Sequence, residues 1–277
     1  MDKKSHRLQK PKKSSVFAHG LCFKKLFLIF VIGSVFGDYY ERVINLVGYS
    51  WGGTPWFWER RSGVIYGPFS IIYGLGAVAM ILAFIALPRY LIEKRVNSKN
   101  YNHNQKQDQK QKSENKFLNL DDSKTTLKDP DATPLKWWHI LILGALLGGI
   151  MEYFLGVLQE TFTGTVSWNY SDHWLNIGAK TSPYVMLVWG IIATVLIKLA
   201  YPALSRLIEK IPVKIGNFIF WFMLIFLSLD MFVSFSAVLR MNLRGHNVPT
   251  FTPYGQFLDY NYPDDRIKKA YPNMVKL

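Results

Sequence analysis

Three acidic side chains stand inside otherwise apolar stretches of the chain: Glu41, Glu152 and Asp230. Each follows a lysine by 16 residues, the lysines being Lys25, Lys136 and Lys214. On a helix that spacing is about 24 Å, so the three carboxylates share one depth. A charge at the centre of a bilayer costs about 2.5–3.5 kcal/mol on insertion scales, and less toward the interface. Carboxylates so placed should face a protein interior, carry a proton or pair with cations. Arg42, Arg60, Arg61 and Arg240 fall near that level, and a long stem lets arginine reach inward. One reading is a polar pocket for a ligand, with Glu41, Glu152, Asp230, Arg61 and Arg240 as candidate contacts. The other is a set of ion pairs that lock helices together. Residue types alone leave both open.

Other chemistry is thin. Gly48-Tyr49-Ser50-Trp51-Gly52 matches G-x-S-x-G, but a nucleophile elbow needs a strand before the serine and a helix after it. Here an apolar helical stretch precedes and a Gly-Gly-Thr-Pro loop follows, so an ordinary turn accounts for the match. Lys180-Thr181 echoes the end of a Walker loop, with Trp174 and Ala179 where its two glycines belong. The S-x-x-K at Ser113 and Lys116 lies in a polar segment with almost nothing to bury. The six histidines are scattered, and Asp172-His173 is too small a pair to define a metal site. Cys22 is the single cysteine, which excludes a disulfide framework or a CxxC zinc site. The residues predict no catalytic group, no metal and no cofactor.

The elements that must position the acids are long and apolar. Of 277 residues 49% are hydrophobic and 19% charged, and the two kinds are segregated into blocks. Val64 to Pro88 runs for 25 residues without a charge, about 37 Å as helix against a hydrocarbon core of ~30 Å. Five segments are candidates to span: 26–48, 64–88, 137–158, 183–203 and 216–239. With the N-terminus inside, 23 of the 33 Lys and Arg residues fall on the inner side. The positive-inside rule then puts the N-terminus in the cytoplasm and the C-terminus outside. Trp137 and Trp138 mark the inner interface; Trp51, Trp56, Trp58, Trp168 and Trp174 fall in the two outer loops. Orientation explains the formal charge of +14 without nucleic acid.

The expected organisation is a basic cytoplasmic tail (1–25), a first transmembrane hairpin (26–88) and a polar, disordered cytoplasmic linker (89–136). A second hairpin (137–203), a cytoplasmic connection (204–215), a fifth helix (216–239) and an exposed C-terminal tail (240–277) follow. The hairpins look duplicated. The first carries Gly33-x3-Gly37-x3-Glu41 and the second Gly144-x3-Gly148-x3-Glu152. Positions i, i+4 and i+8 share a helix face, so each helix presents a small-residue groove ending in a carboxylate. Tyr73-Gly74 and Trp189-Gly190 recur in the helices that follow. Such in–out–in units would be parallel repeats about an axis along the membrane normal.

Three blocks carry a family resemblance. Arg61-Ser62-Gly63-Val64-Ile65-Tyr66-Gly67-Pro68-Phe69-Ser70-Ile71-Ile72-Tyr73-Gly74 is the first. Gly148-x3-Glu152-Tyr153 with Trp168-Asn169-Tyr170-Ser171-Asp172 and Asn176 is the second. Phe257-Leu258-Asp259, Tyr262-Pro263-Asp264-Asp265-Arg266 and Tyr271-Pro272-Asn273-Met274 form the third. Together they resemble the Putative ABC-transporter type IV (CmpB-like) permease family of bacterial membrane proteins. Ser62 before Gly63, Ser70 for the usual Cys, and Ala179-Lys180 for Gly-Arg depart from its pattern. The resemblance implies a permease-like subunit in the cell membrane for a small solute, with ATP hydrolysis on a separate chain. Trp168, Tyr170, Ser171, Asp172 and Asn176 become outer-loop candidates. Candidate partners are the lipid bilayer, a nucleotide-binding subunit and a second copy of the chain. A non-transporting receptor or assembly protein is the alternative, and a membrane-embedded enzyme the least favoured.

Overall fold

Away from water every backbone N–H and C=O needs a partner within its own segment, and the apolar stretches accordingly fold as helices. A computed structural model describes residues 16–49, 63–102, 131–271 and 274–276. Helix α1 is Phe23–Tyr49. The next rod is α2 (Ile71–Ile81), a π-turn (Leu82–Ala86) and α3 (Leu87–Asn102). Helix α4 is Trp137–Thr163; α5 (Pro183–Val195), a second π-turn (Leu196–Ala200) and α6 (Tyr201–Glu209) form another rod. Helix α7 is Val213–Gly245, followed by α8 (Pro253–Asn261) and α9 (Asp264–Ala270). The two-residue strands β1 (Thr165–Val166) and β2 (Val275–Lys276) pair antiparallel. This is a helical membrane bundle.

Four helical rods among the described residues are long and apolar enough to cross a membrane: Ile71–Arg95, Trp137–Thr163, Pro183–Glu209 and Val213–Gly245. The expected fifth, α1, has the length but carries Lys24, Lys25, Asp38, Glu41 and Arg42. Part of that charge is internally neutralised. Arg42 Nε donates to Asp38 Oδ2 at 2.7 Å, one turn away, and both side chains are buried. Helix α1 lies along α2 as α4 lies along α5, and these two pairings are the most extensive in the bundle.

Glycine sets both pairings. A Cβ built on Gly37 would fall 2.3 Å from Tyr73 Cβ, and one on Gly148 would fall 2.3 Å from Trp189 Cβ. Gly33 meets Ala77 and Gly74, as Gly144 meets Ala193 and Gly190. Bulky side chains on one helix sit on bare backbone of the other, the small-residue packing that membrane helices rely on. A continuous core then joins the hairpins, with Ala77, Met80, Ile81 and Phe84 against Ile140, Trp189, Ala193 and Ile197.

Both π-turns precede a proline, Pro88 and Pro202. A proline ring crowds the carbonyl four residues back and cannot donate to it, so the helix opens there. The carbonyl that Pro88 leaves is Phe84 O, and Thr133 Oγ1 donates to it at 2.5 Å. Lys198, inside the second π-turn, donates to Leu135 O at 2.6 Å. The segment 131–136 therefore clips onto both rods. Asp131, buried, accepts from Tyr201 OH at 2.7 Å and Ser205 Oγ at 2.5 Å. Lys25 is 0% exposed, with Nζ 2.6 Å from Glu209 Oε1, 2.5 Å from Ser205 Oγ and 3.7 Å from Asp131 Oδ1. Phe17 is buried against Gly216 nearby.

Two expectations change here. The linker expected over 89–136 is helical up to Asn102, steadied at its start by an Arg89–Glu93 pair one turn apart, and ordered again from Asp131. Average composition hides a few anchoring residues. The C-terminal tail is a folded cap rather than an exposed strand of chain. Arg240 holds Asp259 through two parallel bonds of 2.8 Å, and Arg244 bonds Asp259, Asp264 and Tyr262 O. Pairing of β2 with β1 closes the cap onto the loop after α4.

Candidate functional site

Glu152 is a buried acid with a polar partner on each oxygen. It is 7% exposed; Tyr170 OH donates to Oε1 at 3.0 Å and Thr181 Oγ1 to Oε2 at 3.1 Å. Both donors come from the loop 164–182, whose fold is held by its own bonds. Trp168 Nε1 donates to Lys180 O at 3.0 Å and Tyr170 N to Ala179 O at 2.8 Å. Asn176 bonds Ser171 O, His173 O and the Ala179 amide. Lys180 Nζ lies 2.6 Å from Glu160 Oε2, pinning the loop to α4. Ser171 and Asp172 sit exposed on the outer surface of the loop. Trp168 and Asn176 thus shape the loop, and Tyr170 touches the acid.

Glu41 arrives from the other hairpin, half-buried. Tyr73 lies within electrostatic reach of Glu41, Glu152, Tyr40 and Tyr170. Its ring packs on Trp189 at 5.3 Å between centroids and on Tyr40 at 5.8 Å. Tyr184 lies within electrostatic reach of Tyr40, while the His173 ring packs tilted against Tyr170 at 5.0 Å. Glu41 and Glu152 therefore share one aromatic neighbourhood between the hairpins. Glu152, Trp189, Gly148, Gly76 and Met80 line a crevice of about one water's size beside it. A buried carboxylate that accepts from a tyrosine hydroxyl beside aromatic faces can bind a cationic or hydroxyl-bearing group.

The other candidates lie elsewhere. Asp230, buried on α7, accepts from Tyr66 N at 3.2 Å and Ser234 Oγ at 3.1 Å, and Ser234 in turn accepts from Ile65 N at 2.8 Å. It anchors the loop before α2, where Gly67 takes φ +79° and Ser70 N donates to Ser34 O. That is the work of the glycine-bearing block at 63–74. Arg240 serves the cap. Hydrogen bonds from Arg240 and Arg244 hold the Asp259 carboxyl at about 2, well below the usual carboxylate range. Burial and a hydrogen bond with Tyr66 push the Tyr262 phenol up to about 12. Arg61, with Arg60, Ser50, Trp51, Trp56 and Trp58, lies outside the described residues. Among the described residues no group of three or more His, Cys, Asp or Glu side chains is arranged to hold a metal ion.

Three contributors escaped the sequence reading: Thr181, Tyr73 as the meeting point, and the Asp38–Arg42 pair. The repeated aromatic-Gly pair pointed at Tyr73, and the i,i+4 spacing at Asp38–Arg42. Comparison with curated proteins and with solved structures returns no match. The model of one family, described as Putative ABC-transporter type IV, matches residues 28–235. That stretch takes in both hairpins, the Glu152 loop and most of α7, and the chain belongs to this family of transporter-type membrane proteins.

Proposed function

We propose that the chain is the membrane subunit of a permease for a small solute, working with a nucleotide-binding subunit on a separate chain. The N-terminus and the linker face the cytoplasm, and the Glu152 loop and the cap face outward. One observation carries the reading: acids from two similarly built hairpins, Glu41 and Glu152, both lie within electrostatic reach of Tyr73, whose ring packs on Trp189 beside a crevice. The hairpins are read as parallel repeats because Gly33, Gly37 and Gly144, Gly148 make the same kinds of contact. The end of α6 and the residues after it, with exposed Arg206, Leu207 and Lys210, offer a surface for an ATPase at the linker end.

The test is recovery of the full chain from its native membranes in mild detergent, with and without cross-linking. A nucleotide-binding subunit should accompany it. In that complex Glu152→Gln should change the ATPase rate while leaving assembly intact. A chain recovered without such a subunit under both conditions refutes the subunit role. The exposed Trp174 and the self-bonded loop beneath it favour the second reading, a receptor or assembly protein. Cross-linking of that loop to another protein, with no ATPase recovered, would select it.

A further inference from the structure

Helix α7 carries one line at alternating steps of four and three residues, in which Phe218, Phe222, Ile225, Leu229 and Phe232 are exposed, Ser236 and Leu239 are half-buried, and Leu243 is exposed again. From Phe218 to Phe232 each member is more than half exposed. Its small residues lie on the opposite side, with Gly216, Ser234 and Ala237 buried. Membrane helices meet one another through small residues, whereas this line is bulky in all but Ser236 and so faces lipid.

At its upper end the line does not stop at the membrane. Helix α7 has 33 residues, about 50 Å against a hydrocarbon core of ~30 Å. Counted from Lys214, the core ends near Phe232 at about 27 Å, and Leu243 stands at about 44 Å. Over this stretch the chain beyond α7 folds back and makes a groove of about 340 Å3. Phe232, Leu239 and Leu243 form its floor, and Val248, Phe251 and Tyr254 its wall. Tyr254 stacks on Phe232 at 5.8 Å, and Phe251 is 84% exposed at the rim. Three polar side chains along it are already engaged. Arg240 is bonded to Asp259 and Val248 O, Thr252 caps Gly255 N, and Thr250 donates to Thr252 O. What remains open is apolar apart from the Ser236 hydroxyl and adjoins the lipid-facing line at Phe232.

We infer that this groove binds the acyl chain of a phospholipid drawn up from the leaflet at the cap end. Burying a chain there removes from water apolar surface that α7 lifts beyond the hydrocarbon. The aromatic rim at Phe251 and Tyr254 sits at headgroup level, where amphipathic and aromatic rings concentrate. The inference is independent of solute transport and of the Glu152 site.

Photolabelling of the full chain in vesicles tests it. The vesicles hold equal parts phosphatidylethanolamine and phosphatidylglycerol, doped with a phospholipid bearing a diazirine at the end of one acyl chain. Adducts mapped by mass spectrometry should appear on Leu243, Val248, Phe251 or Tyr254 as well as on Phe222 and Ile225. Ser236→Trp, or Thr250→Trp at the rim, should lower labelling of the first set about tenfold by filling the groove. Phe222 and Ile225 should label as before, which also reports that each variant is folded and inserted. Adducts confined to Phe218–Phe232 overturn the inference. So do cross-links between the grooves of two copies without acyl adducts, which would make a second copy the occupant.

Discussion

Lys25→Met is the sharpest perturbation of the bundle. The ammonium is wholly buried, 2.6 Å from Glu209 Oε1 and 3.7 Å from Asp131 Oδ1. Its removal leaves two carboxylates around an apolar methyl group. Asp131 Oδ1 and Oδ2 retain Tyr201 and Ser205, and Glu209 Oε1 retains the Gly20 amide at 3.0 Å. Breaking a buried pair by deleting one partner costs about 3–5 kcal/mol, chiefly because the other charge stays buried without compensation. Glu209 is 24% exposed in its side chain, which lets water soften the loss and favours the lower half of that range. At about 2–4 °C per kcal/mol for a chain of this size, the melting temperature in mild detergent should fall on the order of 10 °C. Glu209→Gln should cost less, since Lys25 keeps Asp131 and Ser205. The double variant Lys25→Met/Glu209→Gln should cost less than the two singles added, with a coupling of about 1–3 kcal/mol. A fall under about 2 °C for Lys25→Met, or strict additivity in the cycle, would refute the claim that this knot holds the linker end together.

Three further outcomes follow from single residues. Gly148→Ala places a methyl 2.3 Å from Trp189 Cβ and should destabilise by about 1–3 kcal/mol, read as a lower melting temperature. Ala179 stands at φ +57°, a conformation costing about 1–2 kcal/mol for a residue with a Cβ. Ala179→Gly should therefore be neutral or stabilising by up to ~1 kcal/mol after glycine's own entropy is counted, and a clear loss of stability would contradict the backbone assignment. Asp259 has a folded-state pKa of about 2, below its ordinary value of 3.8. Its contribution is full above pH ~4 and lost as pH falls through ~2. Hydrogen exchange across 253–261, corrected for intrinsic rate, should rise in that window and stay flat from pH 5 to 7.

Much of the bundle could be read from residue spacing, because small residues three or four apart dictate which helix faces can approach. Gly33, Gly37, Gly144 and Gly148 are such positions, and their contacts with Tyr73, Gly74, Trp189 and Gly190 are local in consequence. Depth counting was a weaker guide. It put Asp230 and Arg240 beside Glu41 and Glu152, yet Asp230 holds the loop before α2 and Arg240 holds the cap. Distance along a helix says nothing of which neighbour it faces, and chain that returns from beyond the membrane cannot be seen from hydropathy. Thr181 was hidden by its likeness to the end of a phosphate loop, and only the folded loop shows it donating to Glu152. Thr133 and Asp131 lay in a segment whose average polarity suggested disorder. A threonine that replaces the donor missing at Pro88 cannot be recognised until the helix is built.

The contacts of 131–135 have a practical consequence. Asp131, Thr133 and Leu135 grip Tyr201, Ser205, Phe84 and Lys198, and all three lie after residue 130. A cut placed within 103–130 severs none of these bonds and leaves each paired set of helices on its own fragment. Two co-expressed polypeptides divided there should reassociate through these bonds, giving separate access to each half for labelling.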